Sequence, residues 1–166
     1  MAIERAKRNL ILQRIGALLL IILSATGAWY LVRYETARSR DAQVLARILE
    51  IQNILTSYAV RHGVYPSMGQ ESRILGDPDT SCLSTDGFVR ANSDSCRERS
   101  FGFFGHLPGT GGSQIATYTS LASDTVSACT DKNGCPSYKI EFIFETHSIA
   151  SQGAHFVGPD GLIPPP

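Results

Sequence analysis

The sequence predicts an α+β chain: one long N-terminal helix whose second half packs on a small antiparallel β-sheet. Three observations carry that reading. No proline interrupts residues 1–65. An uncharged apolar run at 15–32 passes directly into an amphipathic stripe, with no linker chemistry between them. The strand-like segments all come late in the chain, after residue 113.

The first element is the apolar run, "IGALLLIILSATGAWYLV". Its 18 residues, 15–32, hold no charge. At 1.5 Å per residue it extends about 27 Å, close to the hydrocarbon thickness of a bilayer. Trp29, Tyr30 and Tyr34 stand at its far end, where interfacial aromatics belong. The chain has 166 residues and zero net charge, which gives no sign of a nucleic-acid partner. The charge is unevenly placed. Up to Val32 there are Arg5, Lys7, Arg8 and Arg14 against Glu4 alone; from Arg33 on, 11 basic residues face 14 acidic ones, a net of −3. A basic segment before an apolar helix predicts a cytoplasmic N-terminus and an extracytoplasmic body. A buried core helix does not fit, because the run has no polar face. A cleaved secretory signal shares the charged start and apolar run, and small residues at 24–28 offer a cleavage point. The predicted divisions are therefore 1–14 cytoplasmic, 15–32 transmembrane, 33–64 amphipathic helix and 65–166 extracytoplasmic body.

The second element is the stripe. Val44, Leu45, Ile48, Leu49, Ile51, Ile54, Leu55 and Tyr58 recur at three- and four-residue spacings. Arg40, Gln43, Arg47, Glu50, Asn53, Ser57 and Arg61 fall mostly on the opposite side. The helix should end at "RHGVYP": Gly63 suits a left-handed residue after a C-terminus, and Pro66 cannot continue a helix. Val44, Ile48, Ile51, Leu55, Tyr58 and Tyr65 are the expected helix–sheet core.

Residues 66–112 are rich in Ser, Gly, Asp and Pro, and predict loops with one short element near 100–107. Strands are predicted at 114–121, 137–146 and, more weakly, 148–157. "SYKIEFIFET" alternates cleanly, with Tyr138, Ile140, Phe142 and Phe144 on one face. A turn at Gly158-Pro-Asp-Gly161 and a proline tail at 162–166 follow. A three-stranded meander has an apolar face that needs a cover, and the stripe is the cover available.

Four cysteines, Cys82, Cys96, Cys129 and Cys135, all follow the apolar run. In an extracytoplasmic body an even count predicts disulfides, with three connectivities open. Local pairing, Cys82 with Cys96 and Cys129 with Cys135, is favoured because Asp-Lys-Asn-Gly between the last two is turn chemistry. The Cys-x2-Cys pairs of a zinc site are absent. No catalytic constellation emerges. His62, His106, His147 and His155 have no zinc-type spacing, and neither a phosphate loop nor a nucleophile elbow is present. The reading is non-enzymatic.

A charged start, an apolar helix and then "ARSRDAQVLARILEIQNILTSYAVRHGVYPS" resembles the type IV pilin and type II secretion pseudopilin family. Arg38, Arg40, Asp41, Gln52, Tyr58, Gly63, Tyr65 and Pro66 stand at matching places, and the likeness covers residues 10–66 well and the rest loosely. It implies a pilin-like fold, an apolar half-helix stored in the membrane until subunits bundle, and a place in a surface filament. The partners it implies are membrane lipid, other pilin-like subunits and assembly-platform proteins. The family's processing site is a glycine, and the counterpart here is Gly16 followed by Ala17. The family's glutamate five residues after the cut is replaced here by Ile21, and no acid lies between Glu4 and Glu35. Some tip subunits also lack that glutamate, and a permanently anchored domain is the alternative. Pseudopilins carry calcium in a loop, which makes Asp77, Asp79 and Asp86, or Asp131 and Asn133, candidate ligands; turn chemistry explains the same residues.

Overall fold

The computed structural model describes residues 2–69, 71–109, 112–124, 126–146 and 153–163, with side chains from Arg14 onward except at 112–113 and 163. The chain divides into two units, residues 1–37 and 38–166. Helix α1 spans Ala2–His62. It stops two residues short of the predicted boundary at 64, because Gly63 turns left-handed at φ 77°. The Gly63 amide closes the last turn on the Ala59 carbonyl at 2.7 Å.

Within the second unit the strands are short until the middle of the chain. β1 (Arg73–Ile74) precedes a 3-10 turn at Pro78–Thr80, then β2 (Cys82–Ser84) and β3 (Gly87–Val89). Helix α2 (Asp94–Arg99) and β4 (Ser100–Phe103) follow, then the hairpin of β5 (Leu107–Gly109) and β6 (Gly112–Gln114). The main sheet continues with β7 (Thr117–Leu121), β8 (Ser137–Phe144), β9 (Gly153–Gly158) and β10 (Gly161–Ile163). Its order is β1-β7-β8-β9-β10, and every pairing is antiparallel. A separate three-stranded sheet has the order β3-β2-β4.

The fold class is thus the predicted one, and the sheet is larger. The meander of three strands is present as β7-β8-β9, with an added strand at each edge. At 114–121 the predicted strand breaks: Gln114 closes the β5–β6 hairpin, Ile115 is exposed and Ala116 is buried before β7 begins. Leu162 and Ile163, expected in a tail, instead belong to a strand over 161–163 that folds back on β9 with Gly161 opposite Gly158 across a two-residue turn, and 164–166 lie outside the described residues. Residues 66–112 correct to a small sheet, a hairpin and two short helical turns. Residues 148–152 of the third predicted strand lie outside the described residues.

The core sits where the α1 stripe meets the main sheet. Val44, Ile48, Ile51, Leu55 and Tyr58 are buried, together with Tyr118, Tyr138, Ile140, Phe142 and Phe144. Along β8 burial alternates residue by residue as the sequence predicts. Tyr65 packs at the edge of this core, half-buried. Leu49, assigned to the stripe, is 51 % exposed and lies off the buried face.

Candidate functional site

In the first unit the apolar run is part of α1 and is exposed on every side: Ile15, Leu19, Leu20, Ile22, Leu31 and Val32 all face outward. The helix is long and apolar enough to cross a membrane. The hydroxyls of Ser24 and Thr26 are satisfied within the helix, as a lipid setting would require. The Thr26 hydroxyl donates to the Ile22 and Leu23 carbonyls at 3.0 Å, and the Ser24 hydroxyl donates to the Leu20 carbonyl. The Arg33 guanidinium lies 4.2 Å from the Trp29 ring centre, an amphipathic pair suited to an interface. Gly16 and Ala17 sit within this helix, both exposed.

In the second unit α1 is fastened at both ends. At the start, consecutive helix residues grip consecutive residues at the end of β8. Arg40 pairs with Glu145 at 2.8 Å. Asp41 is fully buried, and its two carboxylate oxygens accept from the Glu145 and Thr146 amides at 2.8 Å each. The Thr146 hydroxyl donates to the same carboxylate. Midway, Gln52 Nε2 donates to the Gly158 carbonyl at 2.9 Å. At the end, Tyr65 and Cys135 exchange both backbone hydrogen bonds at 2.8 Å. The Tyr65 ring stands edge-on to Tyr138, and the Tyr118 hydroxyl donates to the Pro66 carbonyl at 2.8 Å. Gly134 approaches so closely that an added Cβ would meet Val64 and lie 3.0 Å from the Tyr65 oxygen, and its φ is 119°. Gly-Val-Tyr-Pro is therefore both a helix stop and a latch on the sheet.

The latch has a titration consequence. Burial pushes the Tyr138 phenol up to about 12, and the nearby Gln52 amide offsets part of that without closing a hydrogen bond on the hydroxyl. Burial also pushes Tyr118 well above the usual phenol range. Gln52 donates elsewhere, and the buried Tyr138 hydroxyl has no hydrogen bond among the described residues. Both phenols hold their protons in the fold beyond the point where unfolded tyrosine, at about 10, releases them. Stability is thus fully present below pH ~10 and lost as pH rises through the folded value. Alkaline unfolding, followed by circular dichroism and phenolate absorbance, should fall between about pH 10 and 12. Tyr138→Phe removes an unpaired buried hydroxyl, so at neutral pH it should leave stability unchanged or raise it by about 1 kcal/mol, and it should flatten the alkaline loss.

The cysteines pair as favoured, Cys82–Cys96 and Cys129–Cys135. The first ties α2 to β2; the second closes the loop that presents Cys135 to Tyr65. The candidate calcium ligands are dispersed. Asp79 pairs with Arg90, Asp86 accepts from the Ser95 hydroxyl at 2.8 Å, and Asp77 precedes the 3-10 turn. Asp131 accepts from the Asn133 amide at 2.9 Å. No group of three or more acidic, His or Cys side chains fit for a metal occurs among the described residues. His62 stacks on Tyr58 at 4.3 Å, and His155 is buried against Phe142 and Phe144. His147 lies outside the described residues.

Sequence reasoning left the Asp41 grip unread. In the sequence Asp41 stands among the charges between the apolar run and the stripe, and nothing local assigns it a face. The signal that could have found it is an acid in register with the buried stripe, at three and seven residues before Val44 and Ile48. Compared with known proteins, the chain matches no family model, no curated protein and no solved structure.

Proposed function

We propose that the chain is a non-enzymatic, membrane-anchored, pilin-like or pseudopilin-like subunit of a type IV filament or type II secretion-type assembly. The observation that carries this reading is one continuous helix with two surface chemistries. Residues 15–32 are apolar and exposed on all sides, whereas the stripe from Val44 to Tyr58 is closed against a disulfide-bonded sheet. An all-round apolar helix needs lipid or neighbouring apolar helices around it. The body already uses its stripe and exposes loops for specificity. The cystines fit an oxidising, extracytoplasmic compartment.

A second reading, a permanently anchored domain that binds an external ligand or membrane partner, is favoured by Ile21 and the lack of any acid between Glu4 and Glu35. A new amine left by cleavage at Gly16 would have no carboxylate nearby, and an unpaired charge in an apolar bundle is costly. One experiment separates the readings: intact mass and N-terminal sequence of the protein from membranes and from sheared surface material of its native cell. The filament reading expects an N-terminus at Ala17 with protein in the sheared fraction. An uncut N-terminus with all protein in the membrane would overturn it in favour of the anchored domain.

A further inference from the structure

A cleft of about 510 Å3 opens between the last turn of α1 and helix α2, lined by Arg61, Arg97, Glu98, Arg99, Ser100 and Phe101. The arginines between residues 38 and 99 fall into two sets. Arg40, Arg47, Arg73 and Arg90 are paired with Glu145, Glu50, Glu71 and Asp79. Arg38, Arg61, Arg97 and Arg99 make no ion pair among the described residues, and all but Arg38 line this cleft. Three guanidinium groups against the single carboxylate of Glu98 leave the cleft net positive, in a body whose sequence is net negative. Gathered like charges repel, and an anion seated among them removes that cost.

The cleft is also held in place. Ser93 caps α2 by accepting from the Cys96 amide, and Cys96 is bonded to Cys82 in β2, so Arg97 and Arg99 rise from a stapled base. Arg61 lies 6.0 Å from the Phe101 ring centre, and Phe101 is braced edge-on by Tyr58 at 5.4 Å and His62 at 5.9 Å. Arginine forks match tetrahedral oxyanions in a bidentate way, and a fixed ring beside them offers an apolar wall. The volume suits a small organic molecule.

We propose that this cleft binds a small organic ester of phosphate or sulfate, its oxyanion among Arg61, Arg97 and Arg99 and its organic part against Phe101. The inference does not depend on the filament reading. The test is calorimetric titration of the full chain, disulfides intact, in uncharged detergent micelles. The probes are glucose 6-phosphate, glucose 6-sulfate and, as the neutral control, glucose. Saturable binding of either ester and not of glucose is expected, weakening as salt rises. Binding of one ester alone would identify the oxyanion preferred. Arg61→Gln and Arg97→Gln should each weaken it about tenfold, and Arg61→Lys should recover only part, since it keeps the charge and loses the fork. Arg38→Gln makes the same charge change about 35 Å away along the helix and should leave binding unchanged. All three positions are exposed, so the variants keep the fold. Absence of saturable binding by both esters, or equal weakening by Arg38→Gln and the cleft variants, would overturn the proposal.

Discussion

Reducing both disulfides should lower the stability of the body by about 5 kcal/mol, an effect comparable with the whole stability of a small domain. Cys82–Cys96 spans 14 positions and Cys129–Cys135 spans 6. By loop entropy alone they contribute about 3 and about 2 kcal/mol. The first bridge ties α2 to β2 and the second lies in the loop between β7 and β8, so they add nearly independently. All four cysteines are buried, so Cys→Ala pairs are the fitting replacements, and their apolar methyls leave no polar group stranded. The bridges should also differ in what they release. Without Cys129–Cys135 the loop carrying Cys135 is free to leave, and Tyr65 loses both partners of its backbone exchange. Without Cys82–Cys96 the short helix α2 loses its anchor, and a six-residue helix cannot hold itself in water. Urea unfolding of the full chain with and without a phosphine reductant measures the total, and amide exchange at Tyr65 and Arg97 separates the two. An unchanged midpoint on reduction would show that the bridges constrain nothing the fold does not already hold.

What the sequence discloses, and what it hides, follows from the length of each pattern. The stripe repeats through four turns, so Val44, Ile48, Ile51, Leu55 and Tyr58 are readable as one face, and all five are buried. β8 runs for eight residues, long enough for period two to show, and its four inward residues are fully buried. Gly63 and Pro66 end the helix by chemistry that needs no tertiary context. The strands between 73 and 114 are two to four residues long, too short for any alternation to stand out from loop composition. β10 is hidden for another reason: Pro159 and the terminal prolines argue against a strand, yet β10 is an edge, where one side needs no pairing. The cleft of Arg61, Arg97 and Arg99 joins residues more than thirty positions apart through the Cys82–Cys96 staple, and no local pattern encodes that meeting.

Asp41→Ala should destabilise the body by about 3 kcal/mol, lowering its melting temperature by roughly 10–15 °C. The reason is accounting of donors. Asp41 is the first fully buried residue of α1 among the described side chains, and it satisfies two backbone amides and one hydroxyl at the end of β8. Alanine leaves all three donors in a site closed to water, where each unmet donor costs about 1–3 kcal/mol before relaxation. Asp41→Asn should cost less, about 2 kcal/mol, because one oxygen remains as an acceptor while the amide nitrogen faces a donor. Thr146→Val removes only the hydroxyl and should cost about 1 kcal/mol. The double variant Asp41→Ala with Thr146→Val should cost less than the sum of the two, since valine withdraws one of the donors that alanine strands. Thermal unfolding of the full chain in detergent by near-ultraviolet circular dichroism reads all four. A loss below about 1 kcal/mol for Asp41→Ala would mean that water or a neighbour replaces the carboxylate, and that the helix is held by its apolar stripe alone. The neighbouring Arg40–Glu145 pair is partly exposed and cannot stand in, because such pairs contribute little. Losing the grip should therefore free the first turns of the packed helix, where the residues from Arg14 to Arg40 are exposed or half-buried, while Tyr58 and the Tyr65 latch stay protected. Amide exchange that rises at 42–46 and not at 58–65 is the pattern that assigns Asp41 to fastening the helix where its packing begins.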